Sequence, residues 1–192
     1  MSLGQCFPST LDAARSGADW AVAALYKDLQ PPLLGYLRSK CPAEAEDLAQ
    51  ETWVDVARGV LRFEGGEQDF RRFVFTIARR RLIDHLRRAA SRPVQPAPDA
   101  FLAMHGAWGD VQEDALARLS ADDAIEAISR LLPPIQAEIV LLRVLGHFSV
   151  EEVALMIGKR PGTVRSLQFR ALRRVAAALS RDHATNGFQE AM

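Results

Sequence analysis

The chain has 192 residues, of which 48% are hydrophobic, and its basic and acidic side chains balance to a formal net charge of +0. This length permits one compact domain or two small ones, and we adopt two domains, each with its own core, as the working prediction. Charged residues interrupt every apolar stretch well short of the roughly 18 to 20 residues that a membrane span needs. The N-terminus also lacks the pattern of a secretory signal. The sequence therefore predicts a cytoplasmic protein with no membrane partner.

The apolar residues recur at helical spacing along nearly the whole chain, without sustained period-two alternation, so we predict an all-α fold. In the first half the predicted helices cover residues 11–17, 20–40, 43–60 and 70–90, with breaks at Pro42 and at the glycine pair Gly65 and Gly66. These four helices form the first predicted domain, residues 11–90.

The middle of the chain differs in composition from both halves. Residues 91–112 contain three prolines and two glycines with no periodicity, and we interpret them as a flexible linker. The second predicted domain, residues 113–180, contains helices from 114 to 132, from the Pro133-Pro134 break to 145, at 149–157 and at 161–179. Residues 181–192 are expected to be frayed.

Charge is strongly segregated along the chain despite the neutral total. Residues 71–92 hold eight arginines and one aspartate, a net of +7, and residues 159–174 hold six basic residues and no acid, +6. Residues 44–55 hold five acids and no base, and residues 99–126 hold seven acids and one arginine, −6. The two basic blocks can meet phosphates, whereas the acidic ones cannot.

Residues 149–169 have the pattern of a helix-turn-helix. Ser149 and Glu152 form a capping box, Gly158 supplies the turn, and Pro161 suits the first turn of the second helix. A basic, hydrogen-bonding face is what a major-groove reader requires. The alternative is an ordinary helical hairpin with a solvated basic face. The four positions predicted to face inward are Val153, Ile157, Val164 and Leu167. The candidate DNA-binding residues on the outer face are Arg160, Thr163, Arg165, Ser166, Gln168 and Arg170.

Two helices of the first domain each carry a charged face. In the 43–60 helix an apolar stripe of Leu48, Thr52, Val56 and Val60 leaves an acidic face, which we expect to be free for a partner. In the 70–90 helix, Phe70, Val74, Ile77, Ala78, Leu82 and Leu86 are predicted to pack inward, so that a basic face can follow a DNA backbone. Either face could instead be a solvated surface. The acidic face comprises Asp47, Gln50, Glu51 and Asp55. The basic face comprises Arg72, Arg79, Arg80, Arg87 and Arg88.

The order of these segments resembles that of the extracytoplasmic-function sigma factors of bacterial RNA polymerase. AEDLAQETW at residues 45–53 is similar to their region 2.2. Arg62-Phe63, FRRFVFTIAR at residues 70–79 and DHLRR at residues 84–88 resemble regions 2.3 and 2.4. LPPIQAEIV at residues 132–140 and GTVRS at residues 162–166 resemble region 4. The resemblance covers residues 11–179, nearly the whole chain.

This resemblance implies partners and site residues. Asp47, Leu48, Gln50 and Glu51 would dock on the clamp helices of the polymerase β′ subunit, and region 4 would also rest on the β flap. Residues 63–69 and the helix behind them would hold an unstacked base of the minus-ten element, with Phe63 as a pocket wall, although an aromatic residue beside a turn can equally be core. Helix 160–174 would read the minus-thirty-five element. The phosphate-binding residues would be Arg79, Arg80 and Arg87.

The sequence departs from the family pattern at three positions. Asparagine usually stands at Arg80, tryptophan at Phe73, and often arginine at Leu167. Arg80 affects the expected base preference, because a long cation replaces a short amide beside the base pocket.

The acidic linker would either enter the RNA exit path or act as a plain tether.

The sequence contains no catalytic constellation, so we predict a protein that is not an enzyme and has no cofactor. Cys6 and Cys41 form no CxxC pair and have no histidine pair nearby, and we expect two reduced thiols with neither a disulfide nor a metal site. Two other functions remain open: a dimeric helix-turn-helix repressor, and an interaction module that binds polymerase without reading promoters. An anti-sigma factor is a further expected partner.

Overall fold

A computed structural model describes residues 3–91 and 121–186 of the chain. The described residues are all-α, as predicted, and contain no β-strand. The helices of the first half are α1 (Phe7–Arg15), α2 (Asp19–Arg38), α3 (Ala45–Gly59) and α4 (Glu67–Ser91). Those of the second half are α5 (Ala121–Leu131), α6 (Pro134–Leu145), α7 (Val150–Ile157) and α8 (Pro161–Asn186).

Several helix ends differ from the predicted ones. Helix α1 begins earlier than expected because Pro8 occupies its first turn, where a missing N–H has no cost. Helix α4 begins at Glu67, where the Asp69 carboxylate accepts the Gly66 N–H at 3.1 Å. Helix α8 continues to Asn186, so the prediction that the chain frays from residue 181 is wrong for residues 181–186. Ser91, the first residue of the predicted linker, is the last residue of α4. The rest of the predicted linker, residues 113–120 of the second predicted domain and the last six residues lie outside the described ranges.

The first domain packs α2, α3 and α4 around a shared apolar core. Thr52 on the buried stripe of α3 donates its hydroxyl hydrogen bond to the Leu48 carbonyl at 2.7 Å, so its polar atom is satisfied inside. Arg71 of α4 pairs with Asp28 of α2 at 2.9 Å, with side chains 9% and 6% exposed. Removing one partner of so buried a pair is expected to lower the free energy of unfolding strongly. The pair also holds α4 against α2. Leu86, in contrast, is 44% exposed, so its predicted inward position is wrong.

The second domain contains the predicted helix-turn-helix. Ser149 Oγ accepts the Glu152 N–H at 3.1 Å, and the Glu152 carboxylate accepts the Ser149 N–H at 2.7 Å, which confirms the capping box. Gly158 has φ 66°, the left-handed conformation that ends α7. Val153 and Val164 are fully buried between α7 and α8, while Ile157 and Leu167 are partly buried against the same core.

The two domains pack on each other. The Phe75 ring of α4 lies edge-on to Phe148, with centroids 5.3 Å apart, and Tyr36 of α2 contacts Phe75 at 5.8 Å. A Cβ at Gly35 would stand 2.8 Å from Ile125, so this glycine permits α5 to approach α2. One continuous cluster of buried residues includes side chains of both domains. The two domains therefore share part of their buried surface, and three consecutive residues of α2, 35–37, are buried, more than one helix face can cover. A smaller buried cluster lies within the second domain alone and consists of Leu132, Ala137, Val140 and Ala171.

Within the described ranges, no helix combines the length and the apolar content that crossing a membrane requires.

Candidate nucleic-acid interface

The C-terminal half of α4 presents exposed cations. The Arg80 side chain is 86% exposed, and Arg87 and Arg88 also lie on the surface. Arg80 approaches Asp84 at 3.9 Å, and the Arg88 Nε donates to the Asp84 carbonyl at 3.2 Å. Contacts as exposed as these contribute little, so the guanidinium groups can reorient toward phosphates. The predicted exposure of this part of the basic face is confirmed.

The N-terminal half of the same face is occupied by the second domain. Arg79 Nε donates to Glu138 of α6 at 2.8 Å, and its side chain is only 22% exposed. Arg72 contacts Asp69 of its own helix at 2.6 Å and Glu152 of α7 at 3.3 Å. The prediction that Arg72 and Arg79 stand exposed is therefore wrong in this arrangement, because carboxylates of the second domain take up both guanidinium groups.

Tyr36 and Lys40 strengthen the contact between the domains. The Tyr36 hydroxyl donates to Glu138 at 3.2 Å, and Lys40 Nζ donates to the Pro134 carbonyl at 3.0 Å. Burial, and then the Glu138 carboxylate, raise the pKa of Tyr36 well above its ordinary value. Burial also lowers the pKa of Lys40. Sequence reasoning missed Glu138 and Tyr36, since they are 102 positions apart and no local pattern joins them.

The acidic face of α3 is only partly available. Asp47 and Gln50 are exposed, as predicted. Glu51, however, contacts Arg81 of α4 at 3.2 Å, and Arg81 also donates to Asp55 at 2.7 Å. The hydrogen bond to Asp55 is the main cause that raises the pKa of Arg81. The expectation that the whole acidic face is free is therefore wrong for Glu51 and Asp55, which both contact Arg81.

Leu48 is 3% exposed and lies in the core beneath the acidic face. It packs with the rest of the α3 stripe inside the first domain. The structure thus places Leu48 under the exposed acidic residues and not among them, and its part in polymerase docking stays a prediction.

Phe63 belongs to an aromatic cluster at the start of α4. Its ring centroid lies 5.3 Å from Phe70 and 5.4 Å from Phe73, and the side chain is half-buried. Arg15 donates to the Phe63 carbonyl, and also to the Val60 carbonyl at 3.3 Å. These contacts hold the residue in place as core packing would, while Phe63 remains partly exposed beside the short loop that precedes α4.

Helix α8 and the residue that precedes it present the predicted polar side chains. Arg160, Thr163, Arg165 and Ser166 are exposed, and Arg165 forms an ion pair with Glu151 of α7. The remaining predicted positions are Arg170, which is exposed, and Gln168, which is half-buried. Two neighbours were missed by sequence reasoning: Phe169 is 62% exposed, and the Arg173 guanidinium lies 5.9 Å from the centre of its ring. An exposed aromatic on a basic helix could have suggested this cation–π contact.

Comparison with known proteins agrees with the division into two regions. The family model for Sigma-70 region 2 matches residues 25–92, and that for Sigma-70, region 4 matches residues 114–175. The ECF RNA polymerase sigma factor ShbA of Streptomyces griseus is 33% identical over 85% of this chain and 90% of its own length. The ECF RNA polymerase sigma factor BldN of Streptomyces coelicolor is 31% identical over 90% of this chain, and the matched part spans 65% of that relative.

A solved structure has a similar fold. It is that of CnrH in complex with the cytosolic domain of CnrY, with a TM-score of 0.58 and 19% identity. The similarity covers 90% of this chain and 96% of that one. At this identity the match shows the helical fold of the chain.

Proposed function

The chain belongs to the extracytoplasmic-function sigma factors, the RNA polymerase subunits that confer promoter-specific initiation, and we propose that its two domains read the two promoter elements separately. Residues 11–90 act as the region 2 domain, which docks on core polymerase and melts the minus-ten element. Residues 113–180 act as the region 4 domain, which reads the minus-thirty-five element. Residues 91–112 join them.

The observation that carries this proposal is the exposure of two basic faces on different domains. Arg80, Arg87 and Arg88 extend from α4, while Arg160 and Arg165 extend from the start of α8. The start of a recognition helix is where side chains reach base edges in the major groove, and the flank of a long basic helix suits phosphates. The two faces therefore serve different kinds of contact.

The packing of the domains supports a further step in the same mechanism. Glu138 and Glu152 hold Arg79 and Arg72 with carboxylates, which carry the same charge as the phosphates that these arginines would meet on DNA. The described arrangement is a closed form in this proposal. Binding to core polymerase separates the domains and sets the spacing between the two DNA-binding faces. This separation frees Arg79 and removes the Glu152 contact of Arg72, which keeps its contact with Asp69 of its own helix.

Polymerase docking is assigned to Asp47 and Gln50, which are exposed on α3. Glu51 joins them once Arg81 turns away, an exchange that costs little for a half-exposed pair. The chain itself catalyses no reaction in this proposal, because the chemistry belongs to core polymerase, and it acts in the cytoplasm where polymerase and promoter are found. An anti-sigma factor is the expected regulator.

Arg165→Ala and Arg87→Ala form a matched pair that tests the division of roles. Arg165→Ala should cost about 1 to 3 kcal/mol at the preferred upstream element and reduce discrimination against single-base changes there. Arg87→Ala should weaken open-complex formation at every promoter alike and reduce the slope of log affinity against log salt by about one unit. Both are measured with core polymerase on promoters with single-base changes across a salt series.

Arg173→Ala serves as the control, since it removes an exposed arginine further along α8. It should leave the rank order of the promoters unchanged. If Arg165→Ala lowered all promoters equally while Arg87→Ala changed their rank order, the assignment of roles would be wrong.

A further inference from the structure

Three potential metal ligands from separate parts of the first domain converge beside the start of α3. Cys41 lies in the turn between α2 and α3, Glu44 immediately precedes α3, and His85 lies on α4. One ligand atom from each of the three side chains lies within 4.8 Å of the other two. Cys41 is buried, and the other two are half-buried. The fold thus brings His85 to two residues that precede it by more than forty positions.

We propose that Cys41, Glu44 and His85 bind one divalent transition-metal ion of the zinc class. The ligands are the Cys41 thiolate sulfur, a Glu44 carboxylate oxygen and a His85 imidazole nitrogen. Sulfur, nitrogen and oxygen donors of these types are the ligands that zinc takes in proteins, and three protein ligands leave a fourth position for water. The thiol proton is released to solvent when the metal binds.

The spacing suits a site that closes slightly around the ion. Metal–ligand bonds of about 2.0 to 2.3 Å place tetrahedral ligands roughly 3.3 to 3.8 Å apart. Ligand atoms as far apart as 4.8 Å therefore need to approach one another by about 1 Å. Glu44 supplies this movement most readily, because it is half-buried and stands at the helix end rather than inside α3.

The charge of the site favours a cation. The Cys41 thiolate and the Glu44 carboxylate would be two anionic ligands close to each other, and a bound dication stabilises both. Once occupied, the site joins the turn before the acidic helix α3 to the basic helix α4 and should stabilise their packing.

Cobalt(II) titration of the full-length chain tests the proposal, with zinc as a competitor. The unaltered chain should bind one equivalent of cobalt with sulfur-to-metal charge-transfer absorption and the visible bands of tetrahedral cobalt, and zinc should displace it. His85→Ala and Glu44→Gln should each bind at least tenfold more weakly. Cys41→Ser should lose the charge-transfer absorption. Cys6→Ser removes the other, exposed thiol and should behave as the unaltered chain does.

A second measurement guards against variants that simply fold badly. Zinc should raise the Tm of the unaltered chain and of Cys6→Ser but not that of His85→Ala, whose circular dichroism without metal should match the parent. Equal metal affinity in the parent and His85→Ala, or cobalt binding without sulfur-to-metal absorption, would overturn the site. Neither readout involves promoter DNA or polymerase, so the outcome is independent of the function proposed above.

Discussion

Arg79 and Glu138 join the two sigma regions through a hydrogen-bonded ion pair of 2.8 Å, with side chains 22% and 15% exposed. We expect Glu138→Gln to weaken this contact and free Arg79 for phosphate. Non-specific DNA should then bind more tightly, with a salt slope larger by about one unit. Fluorescence anisotropy with duplex DNA across a salt series measures both quantities.

Glu126→Gln is the matched control for that change. It removes the same charge from the second domain, but Glu126 pairs with Arg130 inside α5. If both variants strengthened DNA binding equally, the gain would reflect net charge alone and the closed form would lose its support.

Tyr36 gives the domain contact a pH dependence. Its pKa is raised in the folded chain, first by burial and then by Glu138. The neutral phenol therefore contributes stability that is fully present below the unfolded pKa of about 10 and is lost as pH rises through the higher folded value. Urea unfolding from about pH 9 to 11 should show a smaller loss of unfolding free energy in Tyr36→Phe than in the parent chain.

Tyr26→Phe is the control, because Tyr26 is exposed. This variant should lose as much unfolding free energy over the same pH range as the parent chain does. Equal slopes in the parent chain and in Tyr36→Phe would contradict the assignment of this alkaline transition to Tyr36.

The capping box of α7 should be measurable as stability. Ser149→Ala removes the side-chain oxygen that accepts the Glu152 N–H, at an expected cost of about 1 kcal/mol in unfolding free energy. Ser166→Ala alters an exposed serine inside α8 and should not destabilise the chain. Denaturant titration at neutral pH compares them, and a loss in Ser166→Ala as large as that in Ser149→Ala would remove the role given to the cap.

Polymerase docking is tested by Asp47→Arg. Asp47 is exposed above the buried stripe of α3, so the substitution should lower affinity for core polymerase at least tenfold while the helical circular dichroism stays unchanged. Glu64→Arg makes the same charge change at an exposed position outside α3 and should bind normally in this DNA-free assay. Undiminished competition by Asp47→Arg for core enzyme would remove the docking face from α3.

Local features of the fold could be predicted because their causes lie close together in sequence. The capping box of Ser149 and Glu152 can be recognised from a spacing of three residues. The glycine at position 158 indicates the turn, and in the structure Gly158 has the positive φ that such a turn uses. The spacing of the apolar stripe that contains Leu48 likewise predicts its burial, and Leu48 is 3% exposed.

Features that depend on tertiary packing could not be predicted. Arg79 was correctly placed on the polar side of α4, yet its partner comes from α6, 59 residues away. Arg81 similarly reaches across to Glu51 of α3. Helical periodicity identifies which side of a helix is polar, but it does not identify the helix that lies opposite.

In vitro transcription by core polymerase, with and without the chain, tests the central claim most directly. The two DNA-binding faces should act together only when polymerase fixes their spacing. The chain alone is therefore expected to bind promoter duplex weakly, and core polymerase alone should not initiate at its promoter. Together they should produce a transcript from one defined start, and Asp47→Arg should reduce it. Tight, sequence-specific binding by the chain alone, with no change in initiation when it is added to core polymerase, would contradict the account and support a repressor.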